Sequence, residues 1–191
     1  MQIQVRINEE GALRNQRYAF TDRFTLVSEL LQNARRAGAM RIEIHYDATA
    51  QVLRVEDDGR GLDDFQKLLS FHESGWDAAT SAEERPFGVG FSKCLYAATR
   101  CIVASNRQRV DIDTAAALAK ASIEVEPITE AVAGTLIELH GVDLPDLGNR
   151  IESLCLGFPV EVVFNGKPLL RRFAAAHLAT MASPMGTVHL T

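Results

Sequence analysis

Four short runs, in a fixed order along the chain, hold the side chains best suited to chemistry: E-L-L-Q-N at residues 29–33, D-D-G-R-G at 57–61, F-G-V-G-F at 87–91 and G-T-L-I-E-L at 134–139. In the first, Glu29 and Asn33 stand four residues apart, so on a helix a carboxylate that could act as a base on water shares a face with an amide. In the second, a carboxylate is followed by Gly59 and Gly61, which let the backbone turn sharply and approach a ligand closely. In the third, Gly88 and Gly90 precede a helical pattern, and the orphan N–H groups of a helix start are suited to phosphate. Each run alone also reads as ordinary structure: a surface helix glutamate, a capped turn, a glycine turn and a strand. The chain holds no G-x-x-x-x-G-K-[ST], which excludes a P-loop enzyme.

Taken together, the ordered set resembles the GHKL, or Bergerat-fold, ATPases, the superfamily of gyrase B subunits, heat-shock chaperone ATPases, sensor histidine kinases and MutL proteins. The resemblance covers residues 22–139. Glu29, Asn33 and the A-R-R-A-G-A that follows are similar to the family's N-box, with Arg36 where several branches carry an acid. Ser74-Gly75 and F-G-V-G-F look most like the heat-shock chaperone and sacsin-like branches, whereas the MutL segment reads G-F-R-G-E-A.

The resemblance implies an ATP site that also uses Mg²⁺. It assigns Glu29 as the general base for hydrolysis and Asn33 as the protein's magnesium ligand. Asp57 becomes the acceptor for the adenine amine, Gly61 and Thr135 add water-mediated contacts to the same edge of the base, and Gly59 is a further nucleotide-binding residue. Gly88, Val89, Gly90 and Phe91 become the phosphate cradle. Arg60 is similar to a gyrase arginine that pairs with a helix acid, but Ala37 occupies the matching place here, leaving stacking on adenine or a solvent-exposed turn. Lys93 either reaches a phosphate or is a surface lysine.

Positioning these groups requires a helix from Asp22, a candidate cap, through Phe24, Val27, Leu30, Leu31 and Ala34 to Gly38, whose apolar stripe leaves Glu29 and Asn33 at a cleft edge. A hairpin follows over residues 41–47 and 51–57 and delivers Asp57 to a sheet end. A short helix is expected at 64–71 and a second one from 88–91 through Ala98. Further strands are expected at 100–105, 109–113, 121–126, 135–140 and 160–164, with a helix at 147–156 and a turn at Asn165-Gly166. The polar, aperiodic stretch at 72–86 reads as a mobile lid. The resemblance implies an α/β fold class, the Bergerat ATP-binding fold, an α+β two-layer sandwich in which helices cover one face of a mixed, mostly antiparallel sheet. Residues 1–172 form the ATP-binding domain and 173–191 a tail or the start of a further segment.

Composition sets the remaining limits. A length of 191 residues suits one domain with its own core, and a hydrophobic share of 47% with 24% charged residues is globular. No apolar run reaches membrane-spanning length, and the M-Q-I-Q-V-R-I-N start alternates like a strand and lacks the charged-then-apolar pattern expected of a signal peptide, so a cytoplasmic protein is expected. Cys94, Cys101 and Cys155 read as reduced core thiols, and the five histidines lack ligand spacing. A net charge of −5 gives no footprint for nucleic acid.

Two function classes follow. One is an ATPase, chaperone-like, whose lid closes on ATP to expose a dimer surface or a surface for a protein client; the other is a nucleotide-gated interaction module with little turnover. A histidine kinase ATP-binding domain is a third reading. The short stretch before Glu29 and the presence of Glu29 itself argue against it.

Overall fold

The computed structural model describes residues 4, 8–16, 18, 22–70, 90–184 and 186–190. Helix α1 spans Glu9–Gln16 and α2 spans Phe24–Arg36. The α2 side chains Leu26, Val27, Leu30, Leu31 and Ala34 are all buried, which is the apolar stripe expected from helical spacing. The Asp22 carboxylate accepts the Phe24 N–H at 2.9 Å and so satisfies one orphan donor at the helix start. Gly38, at φ +79°, ends the helix in a conformation that costs glycine little.

Strands β1 (Arg41–Asp47) and β2 (Val52–Asp57) form the expected hairpin. The stretch expected as a helix at 64–71 is a single 3-10 turn at Phe65–Leu68, started by Asp64, whose side chain accepts the Gln66 N–H. Residue 71 falls outside the described residues. Helix α3 (Ser92–Ala97) leads into β3 (Arg100–Asp113), then α4 (Thr114–Leu118), β4 (Val125–His140), α5 (Leu147–Cys155), β5 (Glu161–Phe164) and β6 (Lys167–Pro168).

Two corrections to the sequence reading concern β3 and β4. The expected strands at 100–105 and 109–113 are one strand, because the polar N-R-Q-R segment continues the ladder across irregularities at Ser105, Asn106 and Gln108. Likewise, β4 begins at Val125 and runs unbroken to His140, so the segment expected as a strand from 121 is irregular until residue 125.

The six strands lie in the order β3-β4-β2-β1-β5-β6. Only the β1–β5 pairing is parallel among them. Burial alternates along β1 and β2: Ile42, Ile44, Leu53 and Val55 are buried while Glu43, His45 and Arg54 are exposed. One sheet face therefore packs on helices and the other meets solvent. Residues of α2, α3 and α5 join the strands in one apolar cluster, with Leu31, Leu95, Ile151, Ile44 and Leu139 at its centre. Each such side chain contributes about 1.5–3 kcal/mol on burial. Cys94, Cys101 and Cys155 lie in this cluster as buried free thiols.

Asn165 and Gly166 both have positive φ and turn β5 into β6, as their types require. Beyond them, β7 (Ala179–Ser183) and β8 (Gly186–Leu190) pair in a separate two-stranded sheet.

Candidate functional site

Strand register brings the first group of sequence-selected residues together. Asp57 lies opposite Thr135, and Thr135 lies opposite Ser105 on the far side of β4. All three stand in register with Ile42 and hence on the helix-covered face, at the sheet end from which the 58–62 loop departs.

The two aspartates of D-D-G-R-G do different work. The Asp58 carboxylate accepts the N–H groups of Met40 and Arg41 at 2.8 and 2.9 Å and stitches the α2–β1 turn to the loop. Asp57 accepts the Gly59 N–H at 2.9 Å. Burial pushes the Asp57 carboxyl above its usual range, against the N–H groups of Gly59 and Thr135, which favour the charged form.

Close approach explains the glycines. Gly134, at φ +65°, packs against the Asp57 carbonyl so tightly that a Cβ there would overlap it and would stand 2.8 Å from the Gly59 nitrogen. A Cβ on Gly59 would meet Ala37 Cβ at 2.8 Å, and the Arg60 N–H donates to the Ala37 carbonyl at 2.9 Å. The Asp57 loop thus sits against the C-terminal end of α2. The Arg60 side chain is exposed.

Two residues that the sequence reading did not single out hold this loop. Ser105 Oγ accepts the Leu62 N–H at 2.8 Å and donates to the Gly134 carbonyl at 2.6 Å, fully buried. Asn106 Nδ2 donates to the Leu62 carbonyl at 2.8 Å. Both lie where β3 becomes irregular, and S-N after an apolar run gives no signal beyond a strand end.

Gly90 and α3 bring in the second group. Glu29 Oε2 and Asn33 Nδ2 lie 2.9 and 3.6 Å from where a Gly90 Cβ would stand. Lys93, on the first turn of α3, holds Glu29 Oε1 at 2.9 Å. Its side chain is only 15% exposed, so Lys93 is not the solvated surface lysine that its sequence context allowed. Arg36 Nη1 lies 3.4 Å from Asn33 Oδ1, a long and weak contact. Phe91 is partly buried against the core, while Gly88, Val89 and the stretch at 72–86 fall outside the described residues.

Glu29, Asn33 and Ala37 follow one another at successive turns of α2. With 1.5 Å of rise per residue, this line spans about 12 Å from Glu29 to Ala37. Gly90 flanks one end and Gly59, beside Asp57, flanks the other. Glu29, Asn33, Gly90, Gly59 and Asp57, all selected by sequence, are therefore neighbours along one side of α2.

No described helix is long and apolar enough to cross a membrane. Comparison with curated proteins finds no match. The family model for histidine kinase-, DNA gyrase B-, and HSP90-like ATPases matches residues 21–141, a stretch that opens just ahead of α2 and closes just after β4. With most of its length, and α2, β2 and β4 with the residues described above, inside that match, the chain belongs to the histidine kinase-, DNA gyrase B- and HSP90-like ATPase family.

Proposed function

We propose that the cleft along α2 binds Mg-ATP and that the protein hydrolyses it to ADP and phosphate. The observation that carries this reading is the line Glu29, Asn33, Ala37, flanked by Gly90 at one end and by Gly59 and Asp57 at the other. Its length suits a nucleotide laid along the helix, with base and phosphates at opposite ends.

Adenine would sit at the Asp57 end, its amine donating to the carboxylate, with Gly59, Gly61 and Thr135 lining the same edge. The phosphates would lie at Gly88, Val89, Gly90 and Phe91, where glycine permits close backbone approach. Asn33 offers a hard oxygen donor of the kind magnesium accepts, and the remaining ligands would be phosphate oxygens and water. When bound, the ion neutralises phosphate charge. Glu29, one turn from Asn33, would orient and deprotonate the attacking water.

Closure of the 72–86 segment as a lid, followed by self-association or engagement of a protein client, would turn hydrolysis into a chaperone-like switch. Residues 1–172 would form the working domain and 173–191 a following segment. We assign this activity to the cytoplasm, a reducing compartment that suits three buried free thiols.

A second reading, a nucleotide-gated interaction module with little turnover, is favoured by the ion pair that engages Glu29 with Lys93. One contrast separates the two. Glu29→Ala should bind ATP no more weakly than the parent while lowering turnover about 10²–10⁴-fold, the usual contribution of a positioned base. Asn33→Ala should weaken Mg-ATP binding itself. Parental turnover in Glu29→Ala, in a contaminant-controlled assay, would remove Glu29 as the base; good binding with no turnover in the parent would favour the module.

A further inference from the structure

Lys93 and Glu29 form an ion pair in which both side chains are largely covered, 15% and 33% exposed. A charge withdrawn from water in this way needs a partner, and the pair sits beside Gly90, where the terminal phosphate of ATP is proposed to lie. Lys93 is on the first turn of α3, three residues after Gly90, with its N–H 3.4 Å from the Gly90 carbonyl. Its stem is flexible and its ammonium carries three donors. A terminal phosphate entering this end of the cleft would set a second, more highly charged anion beside the same ammonium.

We propose that Lys93 is a triphosphate-sensing switch. Without nucleotide it holds the Glu29 carboxylate; with ATP it turns its ammonium to the terminal phosphate and leaves Glu29 available to water. ADP lacks the phosphate that drives the exchange, so the Lys93–Glu29 pair persists with ADP bound. The inference rests on the cleft being an ATP site, and it assigns to one residue both the distinction between ATP and ADP and the release of the base.

The test is a double-mutant cycle read by calorimetric titration with ATP and with ADP on the full chain. If Glu29 competes with the terminal phosphate for Lys93, Glu29→Gln removes that competing charge and tightens ATP binding roughly 3–10-fold, the scale of one partly exposed charge pair. ADP affinity stays unchanged. In a Lys93→Met background the same Glu29→Gln substitution brings no gain for ATP. Lys93→Gln, which keeps length and a polar end, replaces Lys93→Met if that variant does not fold. An equal gain in both backgrounds would mean that Glu29 merely repels phosphate, and no gain in either would mean that the Lys93 ammonium does not turn to the terminal phosphate; both results overturn the switch while leaving the ATP site standing. A folded parent that binds neither nucleotide overturns the ATP site and the switch with it.

Discussion

Gly134 packs directly on the carbonyl of Asp57, so closely that the first residue of G-T-L-I-E-L has no room for any side chain. This contact joins the start of the β4 segment that faces β2 to the end of β2, and it fixes where the Asp57 carboxylate stands relative to Thr135. The glycine is required twice over, by the overlap and by its φ of +65°.

Gly134→Ala should therefore push β4 away from the Asp57 loop. The expected result is a loss of at least about 1–3 kcal/mol of stability, the scale of a residue forced into a disfavoured backbone region, with ATP affinity lost alongside. Chemical denaturation and nucleotide titration of the same sample read both effects.

Ser105→Ala isolates the hydrogen bonds behind that contact. It removes the acceptor for the Leu62 N–H and the donor to the Gly134 carbonyl in a buried place. Leaving such groups unpaired costs about 1–3 kcal/mol. Denaturation midpoints should fall accordingly, and hydrogen exchange at Leu62 should quicken.

Asp57→Asn should have opposite effects on stability and on binding. Burial raises the Asp57 carboxyl above its ordinary value, so the folded state favours its protonated form. Below the unfolded carboxyl range the group is protonated in both states and carries no penalty. As pH rises through that range and past the raised folded value, ionisation costs stability. Asp57→Asn escapes this loss, so without nucleotide it should melt above the parent at neutral pH, with the gap closing in acid. ATP affinity should meanwhile fall about 10–100-fold, the worth of a hydrogen bond to a charged group.

Acid sensitivity of the sheet should trace in part to Asp111. Its hydrogen bond with the Arg100 guanidinium, helped by that with Arg109, lowers its carboxyl to about 2 against the effects of burial. Its contribution is present above the ordinary carboxylate value of 3.8 and is lost as pH falls toward about 2. Asp111→Asn should cost at most about 1 kcal/mol at neutral pH, because the pair is partly exposed, and should flatten the stability profile across that acid window. Thermal melts at stepped pH measure it.

The parts of this architecture that depend on local periodicity were readable in the sequence. Glu29 and Asn33 share a face because 3.6 residues make a helical turn, and the apolar stripe around them announced α2. The β1–β2 hairpin was equally plain from its alternation. Long-range pairing was not, since nothing local to Asp57 or Thr135 sets the register between β2 and β4; only the resemblance linked them. The β3–β4 ribbon was broken into pieces in the sequence reading because N-R-Q-R looks like a turn, whereas Asn106 at φ +55° lets the strand continue through an irregularity. Helix α4 was missed since T-A-A-A-L is too short to show a period; its signal is Asp113, whose carboxylate caps the Ala116 N–H. Ser105, Asn106 and the Lys93–Glu29 pair depend on tertiary contacts and had no local mark.

Calorimetric titration of the full chain with ATP, with and without magnesium, tests the central claim most directly. The α2 cleft predicts binding at one site per chain, weaker without magnesium and much weaker in Asp57→Asn. A folded protein that takes up neither ATP nor ADP at millimolar concentration would contradict it.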